Sequence, residues 1–122
     1  MNKKLNELMK IKILKSKIHR ATVKEACLDY EGSISIDINL MHQAGIINYE
    51  KVHVLNVTNG ARLETYAIPS DKKGDICING AAAHLVKPND LVIIVSYAQM
   101  QLEEAKNYTP KILLLNEKNE IK

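Results

Sequence analysis

Residues Leu28, Asp29, Tyr30, Glu31, Gly32 and Ser33 end in a flexible residue set directly before a hydroxyl nucleophile, just where an alternating run of Ile34, Ile36 and Ile38 begins. Two readings of that pair are open. A bend between strands needs the glycine and nothing more. A strained turn can instead bring the Ser33 hydroxyl against the Gly32 carbonyl carbon, which no Cβ crowds. The acyl group then moves from nitrogen to oxygen, β-elimination opens the ester after Gly32, and hydrolysis with loss of ammonia leaves a pyruvoyl group where Ser33 stood. A chain that did this would make its own electrophile.

Other polar residues gain interest beside that pair. Lys17 and His19 are two apart, so on a strand they point the same way. Arg62, Glu64 and Tyr66 share a face for the same reason, and Thr65 falls on the opposite one unless the strand bends or ends there. The run Asn79, Gly80, Ala81, Ala82, Ala83, His84 is small and begins at a glycine, so its backbone amides can approach a ligand closely. Taken singly, Lys17 and Arg62 read as solvated charges, Tyr66 as a packed tyrosine and His84 as a surface histidine. Cys27 and Cys77 stand fifty residues apart in neither a CxxC nor a Cys/His pattern, which reads as reduced, packed thiols with no metal site.

These residues need a frame to hold them. The chain has 122 residues, enough for one domain with a real core; 46% are hydrophobic and 25% charged. Five tyrosines and no Phe or Trp leave the core to Ile, Leu, Val and Ala. A net charge of +3 is a mild bias that suits an anionic small substrate. Period-two alternation dominates: Met9, Ile11 and Ile13 against Lys10 and Lys12, then Ile34, Ile36 and Ile38. VHVLNV (52–57) and RLETYAI (62–68) flank Thr58-Asn59-Gly60, a strong hairpin signal. ICI (76–78), LVIIVSY (91–97) and PKILLLN (110–116) read as further strands. A short helix is predicted over 39–45, capped by Asn39 and stopped at Gly45. AQMQLEEAKN (98–107) reads as a helical turn or a loop, and the charged tail KNEIK as frayed. The fold class is therefore mainly β: a small closed barrel of six to eight strands with short helical turns. The longest apolar runs, LVIIV (91–95) and ILLL (112–115), are too short to span a membrane, and the basic start carries no clean apolar signal segment, so a cytoplasmic location is expected.

Together, KIHRATV (17–23), YEGS (30–33), NVTNGARLETYAI (56–68) and INGAAAH (78–84) resemble the pyruvoyl-dependent aspartate 1-decarboxylases, and the resemblance covers residues 9–116. It implies a double-psi β-barrel, assembly as a homotetramer, and conversion of L-aspartate to β-alanine and CO₂ for pantothenate and coenzyme A synthesis. It further implies self-cleavage between Gly32 and Ser33 into chains 1–32 and 33–122, and a Schiff base between substrate and a pyruvoyl group made from Ser33, with no metal and no pyridoxal phosphate. By the same resemblance Thr65 assists cleavage and touches substrate, and Tyr66 is the proton donor. Arg62 holds a substrate carboxylate, Lys17 and His19 line the pocket, and Asn79, Gly80, Ala81 and Ala82 orient the substrate. Some relatives use an accessory maturation factor. Two features depart from the family pattern. Residues 1–8 form an N-terminal extension, expected to be disordered, with Met9 as an alternative start; and Leu55 stands where many members carry tryptophan. The rival reading is a small basic barrel that binds nucleic acid, but single-strand binders stack bases on aromatic side chains and this chain has no Phe or Trp. Neither a nucleic acid nor a membrane partner is expected.

Overall fold

The computed structural model describes residues 8–122, so the expected extension 1–8 lies, but for Leu8, outside the described residues. Eight strands follow in order: β1 Lys10–Thr22, β2 Glu25–Cys27, β3 Ser33–Asp37, β4 Lys51–Asn56, β5 Arg62–Ser70, β6 Ile76–Asn79, β7 Leu91–Gln101 and β8 Lys111–Leu114. Among the described residues, two short helices, α1 (Ile38–Ala44) and α2 (Leu102–Lys106), and a 3₁₀ turn (Gly80–His84) join the strands. The mainly β expectation holds.

Pairing runs β2-β6-β3-β5-β4-β7-β1-β8. β2 stands at one end of that order and β1 beside the other, yet only Val23 and Lys24 separate them along the chain. The sheet must curl to bring its ends together. Backbone bonds fix the junction: the N–H of Val23 donates to the Asp90 carbonyl (2.9 Å) and that of Lys24 to the Ile76 carbonyl (2.8 Å). Inside the curl lies one aliphatic core in which Ile18, Ile34, Ile36, Val52, Val54, Ile76, Ile78, Val92 and Ile94 are fully buried. Alternation puts these residues inward and their neighbours outward.

β5 changes partner midway. Arg62 to Tyr66 pair antiparallel with β4, whereas Ala67 to Ser70 pair parallel with β3. The switch falls between Tyr66 and Ala67 and aims Tyr66 toward the part of the sheet that holds Ser33.

Three local expectations are corrected. The α1 N-cap is Asp37, whose Oδ1 accepts from the Asn39 N–H (2.8 Å), so Asn39 lies inside the helix; Gly45 does stop it, at φ +71°. In the 98–107 stretch only Leu102–Lys106 is the expected helical turn; β7 continues through Ala98, Gln99 and Met100 to Gln101 because β1 is long enough to pair with it as far as Lys10. The charged tail is pinned. Asn119 is 2% exposed; its Nδ2 donates to the carbonyls of Thr22 and Gly74 (2.8 Å each), and its Oδ1 accepts from the Thr22 N–H (2.7 Å).

Candidate active site

Ser33 opens β3 and pairs with Asn79 at the end of β6. Period two from each residue brings Ser35 and Cys77 to the same face. There the four side chains make one network. Asn79 Nδ2 donates to Oγ of Ser33 and of Ser35, both at 3.1 Å, while the Cys77 Sγ–H donates to Asn79 Oδ1 at 3.3 Å. Burial, then Asp75 and Glu25, pushes the Cys77 thiol up from its ordinary value, which keeps it a donor at neutral pH. Ser33 is 3% exposed, and its hydroxyl donates to the Glu31 carbonyl over a long 3.3 Å. The nucleophile's position is thus set by an amide, with no base among these contacts.

Gly32 is exposed, and a Cβ built there would meet nothing within 4 Å. Gly80 is the tight one. It sits at φ +71°, and a Cβ on it would lie 2.6 Å from both Cα and N of Gly32 and 2.8 Å from the Tyr30 carbonyl oxygen.

A cavity of about 510 Å³ opens in front of Ser33. Ser33, Ser35, Cys77 and Asn79 line it from the two strands, Tyr30, Tyr49 and Tyr66 add aromatic walls, and Glu25, Glu31 and Asp75 add three carboxylates. No lysine, arginine or histidine lines it among the described residues. The Tyr66 ring packs against Tyr49 with centroids 6.0 Å apart and planes tilted by 50°. Tyr49 is held at φ +69°, a region bulky residues rarely occupy, with its N–H donating to the Ala67 carbonyl (2.7 Å).

Of the residues singled out in the sequence, Gly32, Ser33, Tyr66, Asn79 and Gly80 come together. The others do not. Thr65 pairs with fully buried Val52 and shares its face, turned from Tyr66 as alternation requires. Arg62 is exposed opposite Leu55, four residues or about 13 Å along β5 from Tyr66. Lys17 stands in a row with Val95, His53 and Glu64 across β1, β7, β4 and β5, so three strand spacings, about 14 Å, separate it from β5. His19 lies further along the same strand beside Leu114, and its buried Nδ1 has no partner among the described residues. Burial, then the charges of Lys17, Arg20 and Lys122, lowers its pKa, so it stays neutral at pH 7. Ala81 is exposed, and Ala82 packs against the core.

The sequence reading missed Ser35, Cys77 and Tyr49 as pocket residues. Stepping by two from Ser33 and back by two from Asn79 would have found the first two. Nothing local marks Tyr49, which β5's partner switch brings in. Among the described residues no group of three or more His, Cys, Asp or Glu gathers as a metal site.

Known proteins match this sequence over nearly the whole chain. The family model for aspartate decarboxylase matches residues 9–122. The aspartate 1-decarboxylase of Campylobacter jejuni (serotype O:6) is 57% identical over 91% of this chain and 88% of its own. That of Caulobacter vibrioides is 56% identical over 93% and 98%, and that of Clostridium beijerinckii 55% over 93% of each. With a matched model spanning the whole sheet and its Gly32–Ser33 junction, and relatives this similar, the chain belongs to the aspartate decarboxylase family.

Proposed function

We propose that this protein converts L-aspartate to β-alanine and CO₂, using a pyruvoyl group that it makes from Ser33 by cleaving itself after Gly32. The observation that carries the reading is the buried Ser33 hydroxyl, fixed by Asn79 at 3.1 Å and attached to an exposed glycine with room at its Cβ position, in a chain of this family. The cavity beside Ser33 leaves space for the product of such a cleavage and for a small amino acid. When formed, the group supplies a ketone that condenses with the substrate amine and takes up the electron pair left by CO₂. Tyr66, on the wall of the same cavity, returns a proton to the α-carbon.

Charge supports the homotetramer. Aspartate carries two carboxylates, and the Ser33 cavity offers three more with no cation against them. Lys17 and Arg62 lie on the outer face of the other half of the sheet. A second copy that lays this face over the cavity supplies the missing charge, with Arg62 holding a carboxylate bidentately as a lysine could not. Neutral His19 lines that face as a hydrogen-bonding group, and Thr65 takes its part in cleavage from the family resemblance alone. The β-alanine feeds pantothenate and coenzyme A synthesis in the cytoplasm.

Intact mass under denaturing conditions tests the reading first. Two fragments are expected from the 13.7 kDa chain, about 3.6 and 10 kDa by length, the larger about 17 Da lighter than its sequence. A single species that stays uncut after prolonged warm incubation, alone and with cell extract as a source of a maturation factor, would count against it.

A further inference from the structure

We infer that Gly80 is the seat on which the cleaved loop rests, a positioning residue for self-cleavage; the inference builds on the proposed processing at Ser33. The scissile peptide joins two differently held residues. Ser33 is locked into β3 opposite Asn79, buried and hydrogen-bonded. Gly32 is outside the sheet and exposed, and what it touches is the backbone of Gly80. A Cβ on Gly80 would stand 2.6 Å from Gly32 Cα and N, against the roughly 3.5–4.0 Å that carbon atoms need. Adding that one carbon therefore lifts the loop by about 1 Å while leaving Ser33 in its strand.

That lift falls on the reacting atoms. A C–O bond must form between Ser33 Oγ and the Gly32 carbonyl carbon as the Gly32–Ser33 C–N bond breaks, with the hydroxyl proton ending on the freed amine. Attack requires approach within about 3–3.5 Å, and a misplacement of about 1 Å costs on the order of a hundredfold. Gly80 also lies one residue beyond Asn79, which fixes the other reactant. One tight turn thus sets both oxygen and carbon.

Gly80→Ala should fold, because Gly32 and Tyr30 are exposed and the loop can rise without disturbing the β3–β6 pairing. Gly60→Ala is the control: Gly60 has a similar φ, +80°, but a Cβ there meets nothing within 4 Å, so it carries the same backbone strain without the contact. The time course of cleavage is followed by intact mass, and folding by circular dichroism and thermal unfolding. The inference expects Gly80→Ala to be as folded as Gly60→Ala and to cleave about a hundredfold more slowly, with Gly60→Ala cleaving at the parent rate. Parent-like cleavage by Gly80→Ala overturns it. So does an unfolded Gly80→Ala, since the residue would then support the sheet rather than the loop. A second measurement separates this inference from the reading beneath it. In a Ser33→Ala background, which cannot form the ester, added protease should nick residues 28–32 faster when Gly80 is alanine. Unchanged nicking removes the seat even if the parent processes itself, whereas faster nicking in a chain whose Ser33 parent never cleaves keeps the seat and discards the processing.

Discussion

On β3 and β6 the outward polar side chains, buried but for the half-buried Ser35, are bonded to one another: Ser33, Ser35 and Asn79 share one amide, and Cys77 fixes that amide from behind. On β1, β4 and β5 the outward face is charged and more open to water. There Glu64 meets Lys51 at 3.1 Å and His53 at 3.3 Å, and Lys17 and Arg62 flank the group with no carboxylate of their own within ion-pair distance among the described residues. The first region has a nucleophile and no cation among its lining residues. The second has cations and no nucleophile. Making an electrophile demands reacting atoms placed to a fraction of an ångström, and the buried network fixes one of them, the Ser33 hydroxyl. Holding a dicarboxylate demands only opposite charge in a dry place, which a second subunit can bring.

The largest expected effect is loss of the chemistry at one atom. Ser33→Ala should remain a single 13.7 kDa chain and release no CO₂ from aspartate. A Ser33→Ala protein that still decarboxylated would place the chemistry outside the buried network and dissolve the contrast. Next comes Tyr66→Phe, which spares Ser33, Asn79 and Gly80 and should cleave to completion. Its turnover should fall by about 10²–10⁴, the usual contribution of a placed proton donor. If cleavage rather than turnover suffered, Tyr66 would belong to the maturation apparatus.

Arg62→Ala probes the other region and should behave in the opposite manner. The side chain is exposed, so folding stability should stay within about 0.5 kcal/mol of the parent and cleavage should proceed. The Michaelis constant for aspartate should rise by roughly tenfold to a hundredfold, as charge-assisted hydrogen bonds worth about 1.5–3 kcal/mol are lost. Aspartate saturation curves on the cleaved enzyme decide it. An unchanged constant would mean that the cationic face never meets substrate.

The same contrast explains what could be read from the sequence. Alternation in β3, β4 and β5, the Thr58-Asn59-Gly60 turn and the Gly45 stop are local, and the structure keeps them. So is the pairing of Gly32 with Ser33. Strand order is not local: nothing in YEGS or INGAAAH says that β3 and β6 are neighbours, and only the resemblance joined Ser33 to Asn79. The fates of Thr65 and Tyr66 turn on β5 changing partner between Tyr66 and Ala67, which no periodicity announces. KNEIK looked frayed because its charges dominate, while the buried group is the uncharged Asn119, whose partners Thr22 and Gly74 are 97 and 45 residues away. Long-range hydrogen bonding of a single polar residue leaves no pattern in composition.

The smallest effect is the most discriminating for the cationic face. His19 lies there with a buried, unpartnered Nδ1, and its pKa is lowered first by burial and then by Lys17, Arg20 and Lys122. A folded value below the unfolded one means that, between the two, the unfolded chain holds a proton the folded chain lacks. The stability linked to His19 is therefore full above the ordinary imidazole range and is lost as pH falls through it toward the folded value. An NMR titration of the His19 ring should show a midpoint below 6.5. Lys17→Met should raise that midpoint only part of the way, because burial, the larger cause, remains. Succinate, a dicarboxylate without the amine, should then raise it in the parent if a carboxylate comes to rest near Lys17. A midpoint that moves with Lys17→Met but not with saturating succinate would make this face a cluster of like charges and nothing more, and the cations that answer the Ser33 cavity would have to be sought elsewhere.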